Sequence, residues 1–352
     1  MRVLFATTHF HLPQGTGGIE TTIDTLCKAL PARGVDVGVL CGLAPAGLFG
    51  LRQRATRKLS GRDLVEDRHC GYPVFRGWRL LQSAPDAIAR FRPDVVVVQG
   101  WPTNELVKPF LRAGLPTVIS VHNPEPFALD RELAAAHKLS FVVNSRFTAS
   151  LHADKDILAV IPPLIARDDY VVDSNRKVAL FVNPIRAKGL PRVLDLARRR
   201  PDAPFEIFES WLMKPEERRE AAAACAKLPN IRWRPTLRDM RPAFRRAKVV
   251  LMPSEMIETW GRMASEGHIS GIPTLASAHG ALPDTVGPAG LCVPLHAPPQ
   301  DWEQAFSTLW DEPDAYAGFQ RAATEFSGRD EIQFEQVIGR FVGMLSSAAA
   351  RV

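Results

Sequence analysis

The sequence has little cysteine, and the five residues are scattered over the 352 positions, at 27, 41, 70, 225 and 292. None of them forms a Cys-x-x-Cys pair, which excludes the zinc and thiol-redox sites that use this spacing. An odd, dispersed set fits a reducing compartment, so we expect a cytoplasmic protein. Long apolar runs are also absent from the sequence, which argues against a membrane-spanning helix. The apolar run after Met1 is too short for a signal peptide and predicts a buried first strand instead.

The sequence also lacks low-complexity tracts and a strong charge imbalance. Hydrophobic residues make up 46% and charged residues 23%, close to the values of ordinary soluble proteins. A chain of 352 residues is long for one hydrophobic core and predicts two domains. The net charge of +6 indicates some affinity for phosphates, nucleic acid or lipid headgroups, and it does not choose among them.

Short β-branched runs alternate with amphipathic stretches from the first residue onward, which is typical of βαβ units in a parallel sheet. The run from Asp94 to Val98 is apolar without alternation, as expected of a strand that helices cover on both faces. In the first half the predicted strands are 3–6, 35–40, 95–98, 117–121 and 157–161, and the predicted helices are 19–32, 104–113 and 129–137.

A second series of the same kind begins near Val178. Its predicted strands are 178–182, 205–208, 231–233, 249–252 and 274–276, and its predicted helices are 190–199, 215–226, 240–246 and 260–270. Segment 162–175 carries two prolines and a polar stretch, so it is the predicted linker. We therefore predict an α/β protein with two doubly wound, Rossmann-like parallel-sheet domains, residues 1–165 and 166–327. Residues 328–352 should form an amphipathic helix that packs back on the first domain.

The strongest candidate site lies in the segment from Pro253 to Glu266. Here a strand ends, a loop carries Glu258 and a helix opens at Trp260 and Gly261. Ligands of open α/β sheets bind at the carboxyl ends of the strands, and phosphates bind well at helix N-termini. A glutamate inside that helix could accept hydrogen bonds from vicinal ribose hydroxyls. The alternative, two ordinary surface glutamates of an amphipathic helix, is the more common case for such a pair taken alone.

The frame around the two glutamates resembles that of retaining glycosyltransferase family four, which has the GT-B fold. Glu258 and Glu266 are separated by seven residues, with Pro-Ser before them, an aromatic-glycine pair between them and Gly-Ile-Pro after them. Further landmarks of the family follow one another along nearly the whole chain: Gly17-Gly18-Ile19-Glu20, His122, Asn144-Ser145, Ile161-Pro162-Pro163 and Lys188-Gly189. The combination is far more specific than any one motif.

The resemblance implies a retaining glycosyltransferase of the GT-B fold, with two domains that face a central crevice. The first domain would bind the acceptor, and the second would bind a nucleoside-diphosphate sugar. Cell-envelope polysaccharide or glycoconjugate synthesis is the expected setting, and the acceptor (glycan, lipid or small molecule) stays open. The implied catalytic residues are His122, Lys188 and Glu258.

The donor-binding residues implied by the resemblance come from both halves of the sequence: Gly17, Gly18, Asn183, Arg186, Lys188, Trp260, Gly261 and Glu266. Lys188 would stabilise the departing diphosphate, and Glu266 would hold the ribose. An arginine usual in the family after the second domain's first strand is replaced here by Asn183-Pro184, and Arg186 is the candidate to supply that charge. We expect no metal and no cofactor, because basic groups and a helix N-terminus balance the diphosphate.

The stretch 48–62 holds five basic residues, no acidic residue and several apolar ones. A basic amphipathic segment of this kind can lie on an anionic membrane. We therefore predict peripheral contact with the inner face of the membrane, while a solvated helix or a loop over the acceptor cleft stay open as alternatives. Nucleic acid is not an expected partner.

Other patterns carry less weight. His9 and His11 look like a metal pair but have no third ligand nearby in sequence. Asp154-Lys155-Asp156 precedes its strand and predicts a polar turn. The rivals to glycosyl transfer are a GT-B epimerase, a sugar phosphorylase, and a nucleotide-binding protein that has lost turnover.

Overall fold

The computed structural model describes residues 1–15, 17–45, 47–100, 104–209, 213–237 and 239–351. The chain divides into two compact units, one made of Met1–Leu164 with Glu335–Val352 and the other of Ile165–Phe334. The division after Leu164 falls within the segment 162–175. Each unit is built around a parallel sheet with helices on its faces.

The strands are β1 Arg2–Phe10, β2 Asp36–Gly42, β3 Leu64–Asp67, β4 Val74–Gly77, β5 Val95–Gln99, β6 Thr117–Val121, β7 Leu139–Val143, β8 Ile157–Val160, β9 Val178–Val182, β10 Phe205–Phe208, β11 Ile231–Arg234, β12 Ala247–Met252, β13 Thr274–Ser277 and β14 Gly290–Val293. The helices are α1 Gly18–Ala29, α2 Gly47–Ser60, α3 Leu80–Phe91, α4 Asn104–Arg112, α5 Arg131–Ala134, α6 Arg146–Leu151, α7 Leu190–Arg199, α8 Pro215–Ala226, α9 Arg241–Phe244, α10 Arg262–His268, α11 Leu282–Val286, α12 Pro299–Trp310, α13 Pro313–Ser327 and α14 Phe334–Ala349.

The first unit has an eight-stranded sheet in the order β3-β4-β2-β1-β5-β6-β7-β8. Every neighbouring pair is parallel except the edge pair of β3 and β4, which is antiparallel. The central strand β5 is buried along its whole length, as its run of valines predicts. From Glu335 onward helix α14 belongs to this unit, and its Phe341 stacks on Phe5 of β1 with ring centroids 6.0 Å apart.

The second unit has a six-stranded, all-parallel sheet in the order β11-β10-β9-β12-β13-β14. Its main core lies between the sheet and helices α7, α8 and α12, and Phe205, Phe306 and Trp302 are among its buried aromatic residues. The prediction of two doubly wound α/β units is confirmed, and α7, α8, β9 and β10 have the predicted bounds.

Several elements differ from the prediction. The sequence did not predict β3, β4, β7, α3 and α6 in the first unit, or α11, β14, α12 and α13 in the second. Strand β4 was not predicted because it contains Arg76, a charged residue that interrupts the apolar pattern. The Arg76 side chain is fully buried, and its guanidinium binds Asp67 and the carbonyls of His11 and Leu12. Predicted helix 129–137 is shortened to α5, which begins where the Asp130 carboxylate caps the Leu133 amide at 3.0 Å.

Candidate active site

The sequence-predicted residues of the second unit gather at the carboxyl edge of its sheet. Strands β9, β12 and β13 are adjacent and parallel, so the loops that follow them emerge side by side. The loop after β9 carries Asn183, Arg186 and Lys188, the loop after β12 carries Glu258 and Trp260, and the loop after β13 carries Gly280.

Lys188 and Glu258 form an ion pair at this edge. The Lys188 ammonium lies 2.5 Å from a Glu258 carboxylate oxygen, and their side chains are only 16% and 12% exposed. Backbone contacts hold the two loops together, because the Ala187 carbonyl accepts hydrogen bonds from the amides of Glu255 and Met256 at 2.9 and 3.0 Å. The backbones of the two loops therefore place the side chains of Lys188 and Glu258 next to each other.

Two glycines let these loops approach closely. Gly189 has φ +89°, and a Cβ there would lie 1.9 Å from the carbonyl oxygen of Pro253. Gly280 has φ +62°, and a Cβ there would lie 2.4 Å from the carbonyl oxygen of Glu258. The Ala281 amide donates to that same oxygen at 2.7 Å. The loop after β13 thus fixes the Glu258 backbone. The sequence analysis did not predict this contact, and Gly280 was the only feature of the sequence that pointed to it.

Helix α10 begins at Arg262, so the prediction that it opens at Trp260 is wrong by two residues. The reason is Gly261, whose left-handed φ of +107° lies outside the helix and makes it the residue that caps α10. Trp260 lies ahead of the cap and is buried: its indole donates to the Ser265 hydroxyl at 3.1 Å, and its carbonyl accepts from the Thr285 hydroxyl at 2.5 Å.

Glu266 lies about one turn inside α10 and is buried, with a side chain 7% exposed. The Arg262 Nε donates to its Oε1 at 3.1 Å, and the Arg262 Nη2 lies 3.3 Å from the Tyr170 hydroxyl. Burial raises the pKa of Glu266, while the charge of Arg262 and its hydrogen bond oppose that rise. For Arg262, burial acts against the charge, but Glu266 and Tyr170 outweigh it and its pKa is raised.

Asn183 and Arg186 lie in the loop after β9. Asn183 is buried with φ +69°, and its backbone amide donates to the Phe208 carbonyl at 2.9 Å. Its Oδ1 is a buried oxygen without a hydrogen-bond partner among the described residues. Arg186 is exposed and begins the 3-10 turn that ends at Lys188. The two basic residues therefore share one short turn.

In the first unit, the glycine loop precedes α1. Gly17 is the N-cap of α1, and Gly18 is its first residue; Thr16, which precedes them in the sequence, lies outside the described residues. A Cβ on Gly17 would lie 2.6 Å from the Glu20 Oε2. Glu20 in turn pairs with His9, with Nδ1 and Oε1 3.1 Å apart. The hydrogen bond to Glu20 raises the pKa of His9 against the opposing effect of burial. Sequence reasoning missed this pair.

His122 directly follows β6, as predicted. Burial lowers the pKa of His122 to about 4, so the ring is neutral at pH 7. Its Nε2 lies 3.0 Å from the Ser120 hydroxyl. His122 lines a pocket at the carboxyl edge of this sheet together with Ile19, Gly100 and Phe127. A neutral imidazole there can exchange hydrogen bonds but carries no charge.

Two patterns of low weight have different outcomes. The prediction of a polar turn at Asp154 to Asp156 is confirmed, since these residues precede β8. His9 lies near the end of β1. His11 gains spatial neighbours that the sequence did not reveal: ligand atoms of Asp24 and Cys70 lie within 4.8 Å of its own. The Tyr72 hydroxyl joins this group, 2.8 Å from His11 Nε2 and 2.7 Å from an Asp24 oxygen.

Comparison with known sequences decides the family. The family model described as Glycosyltransferase Family 4 matches residues 16–167, and the one described as Glycosyl transferases group 1 matches residues 211–312. A D-inositol 3-phosphate glycosyltransferase of Streptomyces scabiei is 30% identical over 356 residues, which cover 88% of this chain and 75% of that protein. The chain belongs to glycosyltransferase family 4.

Other curated relatives match this family 4 chain over a smaller region. A D-inositol 3-phosphate glycosyltransferase of Pseudarthrobacter chlorophenolicus is 30% identical over 199 residues, which cover 49% of this chain. The chain spans less than half the length of that relative, 46%, and 39% of its counterpart in Corynebacterium kroppenstedtii.

Solved structures give the fold of the family 4 chain. A glycosyltransferase of Rickettsia africae aligns with a TM-score of 0.76 at 12% identity and covers 99% of this chain and 98% of that one. The HepE protein of Anabaena in complex with UDP aligns with a TM-score of 0.75 at 16% identity and covers 99% and 100%. The two parallel-sheet α/β units and these neighbours confirm the predicted GT-B fold.

Proposed function

We propose that the chain is a retaining glycosyltransferase that moves a sugar from a nucleoside-diphosphate sugar to an acceptor, in cell-envelope polysaccharide or glycoconjugate synthesis. The observation that carries the proposal is the Lys188–Glu258 ion pair, whose Glu258 lies in the loop that leads into α10, the helix of the buried Glu266. The ammonium of Lys188, held by Glu258, suits a diphosphate, and the buried carboxylate of Glu266 suits the ribose joined to it.

The donor would be bound by the second unit. Glu266 accepts hydrogen bonds from the ribose hydroxyls, while Lys188, Arg186 and amides near Gly261 balance the diphosphate charge. Asn183 and Trp260 complete the donor-binding set implied by the family. The Anabaena neighbours were solved with UDP and with UDP-glucose, so uridine nucleotides are the first donors to test.

In this proposal retention needs no enzymatic nucleophile. The bond between the anomeric carbon and the diphosphate oxygen breaks, and the acceptor oxygen bonds to that carbon on the face from which the diphosphate leaves. The proton of the acceptor hydroxyl passes to the leaving diphosphate. Positioning and stabilisation of the leaving charge carry the rate. Lys188 supplies that stabilisation without a metal ion, and Glu258 orients Lys188 before the donor arrives.

The first unit would bind the acceptor. His122, neutral and buried, hydrogen-bonds the transferred sugar in the role that the family implies, and Gly17 and Gly18 let the backbone approach a ligand phosphate. The curated relatives are named for D-inositol 3-phosphate, so an inositol phosphate is one acceptor to test beside lipid and glycan acceptors.

The test combines ligand binding with turnover. UDP, GDP and their sugar conjugates are screened by thermal shift against the native protein, Glu266→Gln, and the control Glu220→Gln at an exposed position of α8. A ligand at a hundred times its Kd should add roughly 2.7 kcal/mol to the unfolding free energy of the native protein and of the control, and less to Glu266→Gln.

Turnover then separates the rival functions. Sugar transfer with an anomeric proton coupling that matches the donor supports the proposal. Nucleotide binding without transfer or donor hydrolysis would assign a binding protein, a pyridoxal absorbance would indicate a phosphorylase, and the absence of any nucleotide binding would refute the donor site.

We further propose that helix α2 contacts an anionic membrane surface, which places the protein at the inner face of the membrane. Leu48, Leu51 and Leu59 are 88%, 56% and 88% exposed, and their spacing puts them on one face of the helix. The opposite face is buried at Gly50 and Gln53. The apolar stripe of α2 therefore points away from its own unit.

Basic residues flank the apolar stripe. Arg52, Arg54 and Lys58 are exposed on α2, and the guanidinium groups of Arg54 and Arg57 each lie 5.6 Å from the ring centre of Trp78, which is itself 44% exposed. Each basic residue near an anionic surface contributes about 1 kcal/mol. No helix in the described ranges is long and apolar enough to cross a bilayer, so the proposed contact is peripheral.

Co-sedimentation with vesicles tests the membrane proposal. The native protein should sediment with phosphatidylserine-containing vesicles, not with pure phosphatidylcholine vesicles, and high salt should release it. Leu48→Ser combined with Leu59→Ser should abolish sedimentation, while Val171→Ser, at a 42% exposed position of the second unit, should not. If the native protein sediments with neither vesicle type, the membrane contact is ruled out.

A further inference from the structure

Arg262 lies at the first turn of α10, where its side chain reaches along the helix to Glu266, four residues on. Its Nε donates to the Glu266 Oε1 at 3.1 Å, and its Nη2 lies 3.3 Å from the Tyr170 hydroxyl. Tyr170 comes from the segment before β9 and packs edge-on against Phe244. The guanidinium therefore joins a buried carboxylate to a hydroxyl that is held in place from another part of the unit.

The ionisation of the Glu266 carboxylate depends on these contacts with Arg262 and Tyr170. A buried carboxylate loses most of its hydration, which favours the protonated form. The groups that act on Glu266 are Arg262 and Tyr170, and both lower its pKa against the larger effect of burial. A protonated Glu266 would lose the charge that strengthens hydrogen bonds from ribose hydroxyls.

We propose that Arg262 is a positioning residue for donor binding, which keeps Glu266 ionised and aimed at the donor's ribose, with Tyr170 bracing the guanidinium. This inference rests on the proposed function, because it assigns Glu266 to a nucleoside diphosphate. Nothing in the spacing of the two glutamates requires an arginine between them.

The first experiment measures the Kd of UDP, or of GDP if only GDP binds, by calorimetry between pH 6 and pH 8. The ratio of variant Kd to native Kd is compared at each pH, so that titration of the nucleotide itself cancels. For Arg262→Leu this ratio should rise about tenfold for each unit by which pH falls below the pKa of Glu266 in the variant, until the lower pKa of Glu266 in the native protein is reached. Arg262→Lys should restore part of the loss, because it keeps the charge.

Two further variants separate positioning from simple damage. Tyr170→Phe keeps the ring against Phe244 and should shift the pH profile in the same direction by a smaller amount. Arg199→Leu removes an arginine that pairs at the same spacing with Asp195, at 3.0 Å on α7, and should leave the Kd ratio near one at every pH. Glu266→Gln should bind weakly with no added pH dependence.

A second readout needs no ligand. With Arg262 removed, Glu266 ionises in the unfolded state at a lower pH than in the folded state. The unfolding free energy of Arg262→Leu should therefore fall, relative to the native protein, as pH rises from 5 to 8. Adding Glu266→Gln to that variant should abolish this slope.

The outcomes are distinct. A stability slope that depends on Glu266, together with a Kd ratio that grows at low pH, supports the inference. An unchanged pH profile in Arg262→Leu, or tighter UDP binding at every pH, would overturn it and leave the proposed function standing. If the native protein binds neither UDP nor GDP, the proposed function and this inference fail together, even where the stability slope is found.

Discussion

Replacing Glu258 by glutamine removes one charge from the ion pair with Lys188 and leaves the size of the side chain unchanged. The ammonium and carboxylate are 2.5 Å apart, with side chains 16% and 12% exposed. Exposed ion pairs contribute roughly 0.2–1 kcal/mol, and breaking a fully buried pair costs about 3–5 kcal/mol. This pair lies between those limits, so we expect a coupling free energy of about 2 kcal/mol.

A double-mutant cycle measures that coupling. The unfolding free energies of the native protein, Glu258→Gln, Lys188→Met and the double variant are obtained from urea denaturation at pH 7. The double variant should be less destabilised than the sum of the two single variants, because the second substitution removes a charge whose partner in this ion pair the first substitution has already removed. Additive effects would mean that the pair contributes nothing to stability.

The same variant has a kinetic consequence. In the proposed function Glu258 orients the lysine that meets the leaving diphosphate, so Glu258→Gln should lower the single-turnover rate more than it weakens donor binding. Glu266→Gln should do the reverse, because the hydrogen bonds that we propose between Glu266 and the ribose would exist before and during the reaction. A charge-assisted hydrogen bond is worth about 1.5–3 kcal/mol, or roughly 10- to 100-fold in Kd. Unchanged donor affinity in Glu266→Gln, or an unchanged rate in Glu258→Gln, would refute these roles.

Three other predictions concern histidines and metal ions. Glu20→Gln should lower the pKa of His9, followed by NMR, because the hydrogen bond to Glu20 is what raises it; an unmoved titration would contradict the pairing. Burial lowers the pKa of His11 and of His122 to about 4 and that of His268 to about 3. Because these rings take up protons first in the unfolded state, the unfolding free energy should fall as pH drops from about 6.5 toward 4, and chemical denaturation along that range checks the sign. Transfer activity should survive EDTA; its loss, with rescue by magnesium or manganese, would refute metal independence.

The sequence by itself determined the alternation of elements and the positions of the main motifs. Helix α7 follows from local hydrophobic periodicity, and strand β9 from a short run of apolar residues; neither signal needs knowledge of the rest of the chain. The seven-residue spacing of Glu258 and Glu266 within its frame, together with the landmarks along the rest of the chain, predicted the family. These features are local in sequence, so composition and spacing record them directly.

Only the tertiary structure decided which side chains meet. The Lys188–Glu258 pair joins residues seventy positions apart, and the contact of Arg262 with Tyr170 joins residues ninety-two apart. Strand β4 was hidden because Arg76, which reads as a surface residue, is fully buried once Asp67 and two carbonyls satisfy its guanidinium. The cost of burying a charge depends on partners that the fold brings from distant positions, and local sequence carries no record of them.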